Sequence, residues 1–443
     1  MDRKAVVVGG GVAGITAALM LRQQGYQVTL IERAEELGGL LRSVYPFGSD
    51  YAFDFGTHLG RETGIDELDS LLYDGLDAPR LPSTLAGSFH GRLFEGNAFL
   101  SDQGLPERQR RAGLEALINR RGGSVYEDLS DQLVRQFGEV YAEQLFEPII
   151  EKHFGCSAKE LAPEAHRLFG LARLVAGNAE QTKKLKQTPQ HDEVLAYHSH
   201  LDLISSQRSL YPAVGGMGTW IDHLHRRLIE AGVTVRTNCS IERFDRSRRS
   251  IIGVHTDQGA YEVDHLVWCA PLFALAKGLG LPLPEGGPPR RLTTTLQHLL
   301  VDADYQTDLY YLHCYEPSMK TFRVTLYDNF SSTLRGKRRL TVEHLLTPSD
   351  FAQLDEDAHA RETDYELVEM GIIPSSASVT DRHLAVYPNG FPIPTPDFVG
   401  ANEQLLETAR TATDNVTLLG KNIGKIWFMN EVLVDAYRQI SAL

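Results

Sequence analysis

The sequence predicts an α/β protein: a helix-flanked parallel sheet into which a second, α+β domain is inserted. Three observations predict it. First, Ala5-Val6-Val7-Val8 reads as a buried strand and runs straight into Gly9-Gly10-Gly11-Val12-Ala13-Gly14. Second, an apolar helix over 15–24 and another strand, 27–31, ending in Glu32, follow at once. Third, strand and helix signals of the same kind return far downstream, at 211–270 and 416–440, and the segments between them differ in character. Strands alternating with helices of this length build parallel βαβ units.

Each glycine of the first turn has a physical task. Gly9 permits the tight strand-to-helix turn, Gly11 lets the backbone approach a pyrophosphate, and Gly14 lets helix and strand pack closely. A pyrophosphate placed there meets the N–H groups of a helix N-terminus, which carries roughly half a positive charge. Glu32, 18 positions after Gly14, stands where a carboxylate accepts hydrogen bonds from a ribose diol. The strand–loop–helix–strand–acid order marks a Rossmann-type dinucleotide site far more specifically than the glycine spacing alone.

Downstream, Tyr211-Pro212-Ala213-Val214-Gly215-Gly216-Met217-Gly218-Thr219-Trp220 leads into a helix over 221–231 and strands over 233–237 and 240–244. Strands over 251–256, 261–263 and 265–270 complete the sheet domain, and a strand over 416–420 with a helix over 429–440 closes it. Residues 103–205 are helical in pattern, notably 125–137 and 142–152, with a polar loop over 178–193. Residues 290–400 alternate as strands do, and the Pro/Gly-rich 281–289 marks a boundary. A discontinuous cofactor domain (1–60, 206–275 and 401–443) carrying a substrate domain with a helical insertion (61–205 and 276–400) follows.

Bulk properties narrow the class. At 443 residues the chain exceeds one ordinary domain, and 42% hydrophobic with 23% charged residues suits a large core. Against 58 acidic residues stand 44 basic ones, a net charge of −14 that speaks against nucleic acid or an anionic membrane surface as partner. Cys156, Cys239, Cys269 and Cys314 are scattered and read as reduced thiols, not as metal ligands or a disulfide frame. Residues 1–21 imitate a secretory leader, but Gly9, Gly10, Gly11 and Gly14 interrupt the apolar run. No apolar stretch is long enough for a membrane span, so the cytoplasm is the expected location.

After Glu32 comes Arg33-Ala34-Glu35-Glu36-Leu37-Gly38-Gly39-Leu40-Leu41-Arg42-Ser43. A second glycine pair so soon is not needed for a nicotinamide cofactor; it suits a longer one, or else forms an ordinary turn. Glu32 followed by Gly38-Gly39 resembles the extended FAD signature of the amine oxidase, protoporphyrinogen oxidase and phytoene desaturase superfamily, which includes UDP-galactopyranose mutase. The resemblance implies a Rossmann-type (GR2-like) FAD-binding domain with an inserted α+β substrate domain. It implies FAD contacts at Gly9, Gly11, Val12, Ala13, Gly14, Glu32, Arg33, Gly38, Gly39, Leu40 and Arg42. Residues 211–241 are similar to the middle FAD motif, in which the residue matching Ile241 holds adenine through its backbone. Phe146-Glu147-Pro148, Glu151-Lys152-His153-Phe154-Gly155 and Ala162-Pro163-Glu164 resemble the helical segment of protoporphyrinogen-oxidase-like proteins. Gly420-Lys421-Asn422-Ile423-Gly424 sits where the superfamily closes over the pyrophosphate and flavin, so Gly420 and Asn422 join the cofactor set; a glycine-capped loop after a core strand reads the same way.

Phe53-Asp54-Phe55-Gly56-Thr57-His58 resembles the segment lying beside the isoalloxazine, which places Gly56, Thr57 and His58 there. His58 can hydrogen-bond flavin or substrate and can change charge near neutral pH, or it is satisfied by backbone at a strand end; Asp54 reads as a turn cap. Arg323, among the apolar residues Thr321-Phe322-Arg323-Val324-Thr325, needs an anionic partner: a substrate diphosphate, or a carboxylate such as Glu343. In the galactopyranose mutase branch a similar arginine, ahead of a stretch like Tyr327-Asp328-Asn329-Phe330, grips the diphosphate, and a tyrosine matching Tyr387 of Tyr387-Pro388 approaches the phosphates. This chain departs from that branch. Lys421, then Lys425-Ile426-Trp427-Phe428-Met429-Asn430, replaces an arginine and a run of tyrosines, and lysine cannot reproduce the bidentate fork. Trp427 and Phe428 read as packing of the last helix, and Trp268-Cys269 gives no sign of covalent flavin attachment.

The resemblance therefore implies an FAD-dependent oxidoreductase acting on a small polar or sugar-nucleotide-like substrate by hydride transfer to flavin N5. His58 and Arg323 are its catalytic candidates, and Arg323, Tyr387 and Lys421 its substrate contacts; no metal is expected. The alternatives are a mutase-like, flavin-dependent sugar-nucleotide isomerase with no net redox, and a nucleotide-binding protein without catalysis. The expected partner is a small-molecule substrate, not nucleic acid and not a membrane; a homodimer is left open.

Overall fold

Five short strands from three distant stretches of chain form one parallel sheet, in the order Thr234–Arg236, Gln27–Ile31, Lys4–Val8, His265–Trp268, Val416–Leu418. The computed structural model describes residues 3–81, 85–120, 122–199, 208–284, 290–331, 336–424, 426 and 428–443. We call Lys4–Val8 β1, Val12–Gln23 α1 and Gln27–Ile31 β2. The valines of β1 are buried on both faces, as a covered parallel strand requires. On one face lie α1 and the helices Gly216–Glu230 and Met429–Ser441, packed through Ala17, Leu21, Leu224, Leu433 and Ile440. On the other face, Val6, Val8, Leu266 and Trp268 meet Leu275 of the Leu272–Gly278 helix and Leu405 of the Pro396–Ala412 helix.

The strands Ile241–Ser247, Ser250–Thr256 and Gly259–Glu262 do not extend this sheet. They form an antiparallel sheet of their own, because connections of only two residues can join antiparallel strands alone.

A second, seven-stranded sheet runs in the order Val379–Pro392, Arg291–Val301, Arg338–Leu346, Thr321–Leu326, Tyr311–Cys314, Ala86–Phe89, Leu93–Glu95. Strand alternation splits it into two chemistries. Leu299, Leu312, Val324, Leu326, Leu340 and Val342 form an apolar face under Leu367 of the Glu356–Glu369 helix. Tyr311, His313, Arg323, Thr325, Thr341 and Glu343 point the opposite way, toward the segment that follows the first nucleotide-binding unit. There the Arg339 guanidinium donates to the Ala52 carbonyl at 2.9 Å, and the Asp54 N–H donates to the Tyr327 hydroxyl at 3.0 Å.

Four local expectations are corrected. The polar stretch 178–193 is not a loop but carries the helix Ala179–Leu185 and the turn Pro189–Asp192; the Asn178 side chain caps the Gln181 N–H, and Gln181 returns the bond. The region 290–400 includes the helix Glu356–Glu369, whose start Asp355 caps at the Ala358 N–H. The expected helix over 125–137 begins only at Leu129, where Asp128 caps it. The expected 142–152 helix is a π-helical turn, Ala142–Phe146, continued by Glu147–Phe154 and stopped by left-handed Gly155. Among the described residues no helix is long and apolar enough to cross a membrane, and no group of His, Cys, Asp or Glu could hold a metal ion.

Candidate functional site

Three glycine-bearing loops converge on the N-terminus of α1. Gly9 turns with φ +105°, and its N–H donates to the Ile31 carbonyl at 2.8 Å. A Cβ on Gly14 would lie 1.9 Å from the Gly9 carbonyl oxygen, so only glycine lets the helix start this close to the strand. At Gly11 the opposite holds: an added Cβ would meet nothing within 4 Å. Gly39 of the second loop approaches the Gly11 Cα, and the Gly38 N–H donates to the Gly10 carbonyl at 2.7 Å. Gly420 approaches Ala13 from the C-terminal side. No side chain caps α1, and its first turn holds no acid, so the positive end of its dipole is left to a ligand.

Glu32 closes the far side of the turn. Its carboxylate accepts the Gly10 N–H at 2.6 Å and the Ala34 N–H at 2.7 Å, which ties the β2 exit to the glycine turn. The Cys239 N–H donates to the Glu32 carbonyl, bringing the start of the Ile241–Ser247 strand alongside. Val12 is partly buried in the cradle, while Arg33 and Leu40 are exposed on its outer rim. Arg42 folds back to donate to the Gly39 carbonyl at 3.0 Å, with its guanidinium over the Phe55 ring. These features fit a dinucleotide with a pyrophosphate: open space over Gly11, an uncapped helix start and a carboxylate at the ribose position. Of the remaining expectations, the side chain of Asn422 and residues Lys425 and Trp427 lie outside the described residues.

The flavin-side candidates sit where the two sheets meet. Gly56 has φ +99°, and a Cβ there would stand 2.9 Å from Glu343 Oε2. The Thr57 N–H donates to Glu343 Oε1 at 3.0 Å, and the Thr57 hydroxyl lies 2.5 Å from that of Thr325. Both fork nitrogens of Arg323 close on the same carboxylate, Nε to Oε1 at 2.6 Å and Nη2 to Oε2 at 2.8 Å. The ion-pair alternative for Arg323 is thus the arrangement found, and the fork does not face open space. Burial, then the Arg323 charge, pull the His58 pKa down to about 4, Glu343 opposing and Lys421 adding to the fall. His58 also hydrogen-bonds the backbone of Phe55. Tyr387 packs on Phe55 with ring centroids 4.6 Å apart, completing a stack of Arg42, Phe55 and Tyr387. Lys421 is an exposed residue, yet loss of hydration at its ammonium and then the Arg323 charge draw its pKa below the ordinary value.

Sequence reasoning missed three participants. Glu343 entered only as an ion-pair partner, yet it joins Arg323, Thr57 and the space beside Gly56; its strand register alone puts it there. His313, register partner of Arg323, is held neutral chiefly by burial and next by that charge, its pKa lowered to about 3. Asp54 caps across the fold: its carboxylate accepts the Met217 N–H at 2.9 Å, the Ser43 hydroxyl at 2.6 Å and the Tyr211 hydroxyl at 2.5 Å. Burial raises its pKa to about 6, against the pull of those donors and of Arg339.

The model of the family "flavin containing amine oxidoreductase" matches residues 12–299. A 4,4'-diaponeurosporene oxygenase of Staphylococcus aureus (strain MRSA252) is 23% identical over 288 residues, covering 60% of this chain and 55% of that protein. The chain thus spans little more than half the length of the curated relatives it matches. Among solved structures, reduced UDP-galactopyranose mutase superposes with a TM-score of 0.75 at 16% identity, covering 100% of this chain and 93% of the other. Cyclohexylamine oxidase from Brevibacterium oxydans IH-35A gives 0.64 at 14% identity, covering 100% and 98%. These two likenesses speak for the fold. The family match, which takes in well over half of the chain including α1, makes this protein a member of the flavin-containing amine oxidoreductase family, with FAD as its cofactor.

Proposed function

We propose that the protein is an FAD-dependent oxidoreductase that removes hydride from a small polar substrate. The observation that carries the reading is the meeting of His58, Thr57 and the Arg323–Glu343 pair on one polar sheet face, beside the chain segment that leaves the glycine cradle. In this reading Gly9, Gly11, Val12, Ala13 and Gly14 receive the pyrophosphate and Glu32 the ribose. Gly38, Gly39, Leu40, Arg42 and Gly420 line the path toward the ring, with Arg33, Ile241 and Asn422 at the edges. FAD, when bound, supplies a two-electron acceptor.

The chain's own residues set the proton inventory. His58 is neutral at pH 7, and in this reading its ring takes a proton from a substrate hydroxyl or amine. The Arg323–Glu343 pair is neutral as a unit, so it adds little net charge to the substrate side. In this reading Lys421 and Tyr387 receive a polar or anionic end of the substrate.

The isomerase alternative asks Arg323 to clamp a diphosphate, and its fork is already taken by Glu343. Purified protein is expected to be yellow and to release its flavin on heating. Anaerobic mixing with a panel of amines, alcohols and hydroxy acids is expected to bleach the flavin with at least one class. Turnover of a UDP-sugar only after dithionite reduction would transfer the reading to the isomerase. Absence of flavin after reconstitution with FAD would end both.

A further inference from the structure

We propose that Glu343 is a positioning residue: clamped by the Arg323 fork, its carboxylate holds the Thr57 amide and so fixes the Gly56–Thr57–His58 segment against the seven-stranded sheet. The inference rests on the oxidoreductase reading for its functional meaning but not for its test. One carboxylate, only 3% exposed, accepts from two nitrogens of Arg323, from the Thr57 N–H at 3.0 Å and from the Thr57 hydroxyl at 3.3 Å. Such a charge is out of water and every acceptor site counts. The four contacts span two separate parts of the molecule. Arg323 and Glu343 lie on neighbouring strands of the second sheet, whereas Thr57 belongs to the chain leaving the nucleotide-binding unit.

Gly56 shows how tightly the join is made. With φ +99° and Oε2 of Glu343 2.9 Å from where a Cβ would sit, no other residue leaves the carboxylate in place. The charges that act on His58 from the surrounding elements are Arg323, Glu343 and Lys421, together with the Phe55 backbone bond. Arg323 and Lys421 oppose protonation of the ring and Glu343 favours it. If Glu343 holds its place through Arg323, the two charges cancel at His58. Removing one then exposes the other.

The test follows the His58 ring by NMR in histidine-labelled protein, assigned with His58→Asn, in the FAD-loaded and FAD-free forms. Wild type is expected to keep the ring neutral down to about pH 4. Arg323→Met, leaving Glu343 unbalanced, is expected to raise the midpoint by about one pH unit or more, and Arg323→Met/Glu343→Gln to return it close to wild type. Should Arg323→Met not fold, Gly56→Ala serves, since it displaces the carboxylate without changing any charge. It is expected to shift the His58 resonances and the visible flavin spectrum. An unchanged His58 titration in Arg323→Met, or unchanged resonances and spectrum in Gly56→Ala, overturns the proposal. Failure to find a substrate bears only on the oxidoreductase reading, because the ring titration needs none.

Discussion

The Cα of Gly14 lies so close to the carbonyl of Gly9 that a Cβ on it would stand 1.9 Å from the oxygen. The obstruction is backbone, not a side chain that can rotate away. Gly14→Ala must therefore push α1 off β1. We expect a loss on the order of 3 kcal/mol, at the upper end for overpacking, together with loss of FAD, read by denaturant unfolding and flavin absorbance.

Gly11→Ala should behave in the opposite way. Gly11 has φ −75° and open space where its Cβ would go. The FAD-free protein should melt within about 1 °C of wild type, because nothing in the chain is displaced. FAD affinity should fall at least about tenfold, since the methyl enters the room left for the pyrophosphate. Titration calorimetry reads the second effect and differential scanning calorimetry the first; equal affinity would remove the cradle from the cofactor site.

Asp54 gives a stability prediction with a definite sign. Burial raises its folded-state pKa from 3.8 to about 6, so the folded protein holds this proton more tightly than the unfolded chain. The contribution is fully present below about pH 4 and is lost as pH rises through about 6. Asp54→Asn keeps the amide cap on Met217 and removes the titration. Relative to wild type it should gain stability between pH 4.5 and 6.5, by an amount on the order of 2 kcal/mol, measured by urea unfolding at each pH. A pH-independent difference would mean that the carboxyl is not titrating in that window.

The depressed pKa of His58 predicts a flat rate profile. With a folded-state value of about 4, the ring stays neutral across the physiological range. The pH dependence of flavin reduction should show no acid limb near 6.5 and a fall only toward pH 4–5. The linked stability has the reverse sign from Asp54: it is present above about 6.5 and is lost as pH falls toward 4. His58→Ala should slow flavin reduction roughly 100-fold if the ring takes the substrate proton, measured by anaerobic stopped flow.

The nucleotide-binding unit was legible because its determinants are local. Strand, turn, helix and acid follow within one short run, and Gly14 answers to Gly9 inside that run. The helices near 179–185 and 356–369 were less legible, because polar sequences hide a helix whose start depends on a single capping side chain. For Arg323 the sequence named two partners and could not choose. The register of Arg323 opposite Glu343 is set by pairing across the second sheet, and no local pattern encodes it.

By itself, then, the sequence determined the glycine turn at α1, the acid at the end of β2 and the class of cofactor they suit, since these depend on backbone geometry over a few residues. The tertiary structure alone decided that Glu343 would meet both Arg323 and Thr57, and that Asp54 would cap a helix begun at Gly216. A buried charge takes its meaning from whatever surrounds it, and those surroundings are assembled from parts of the chain far apart in sequence.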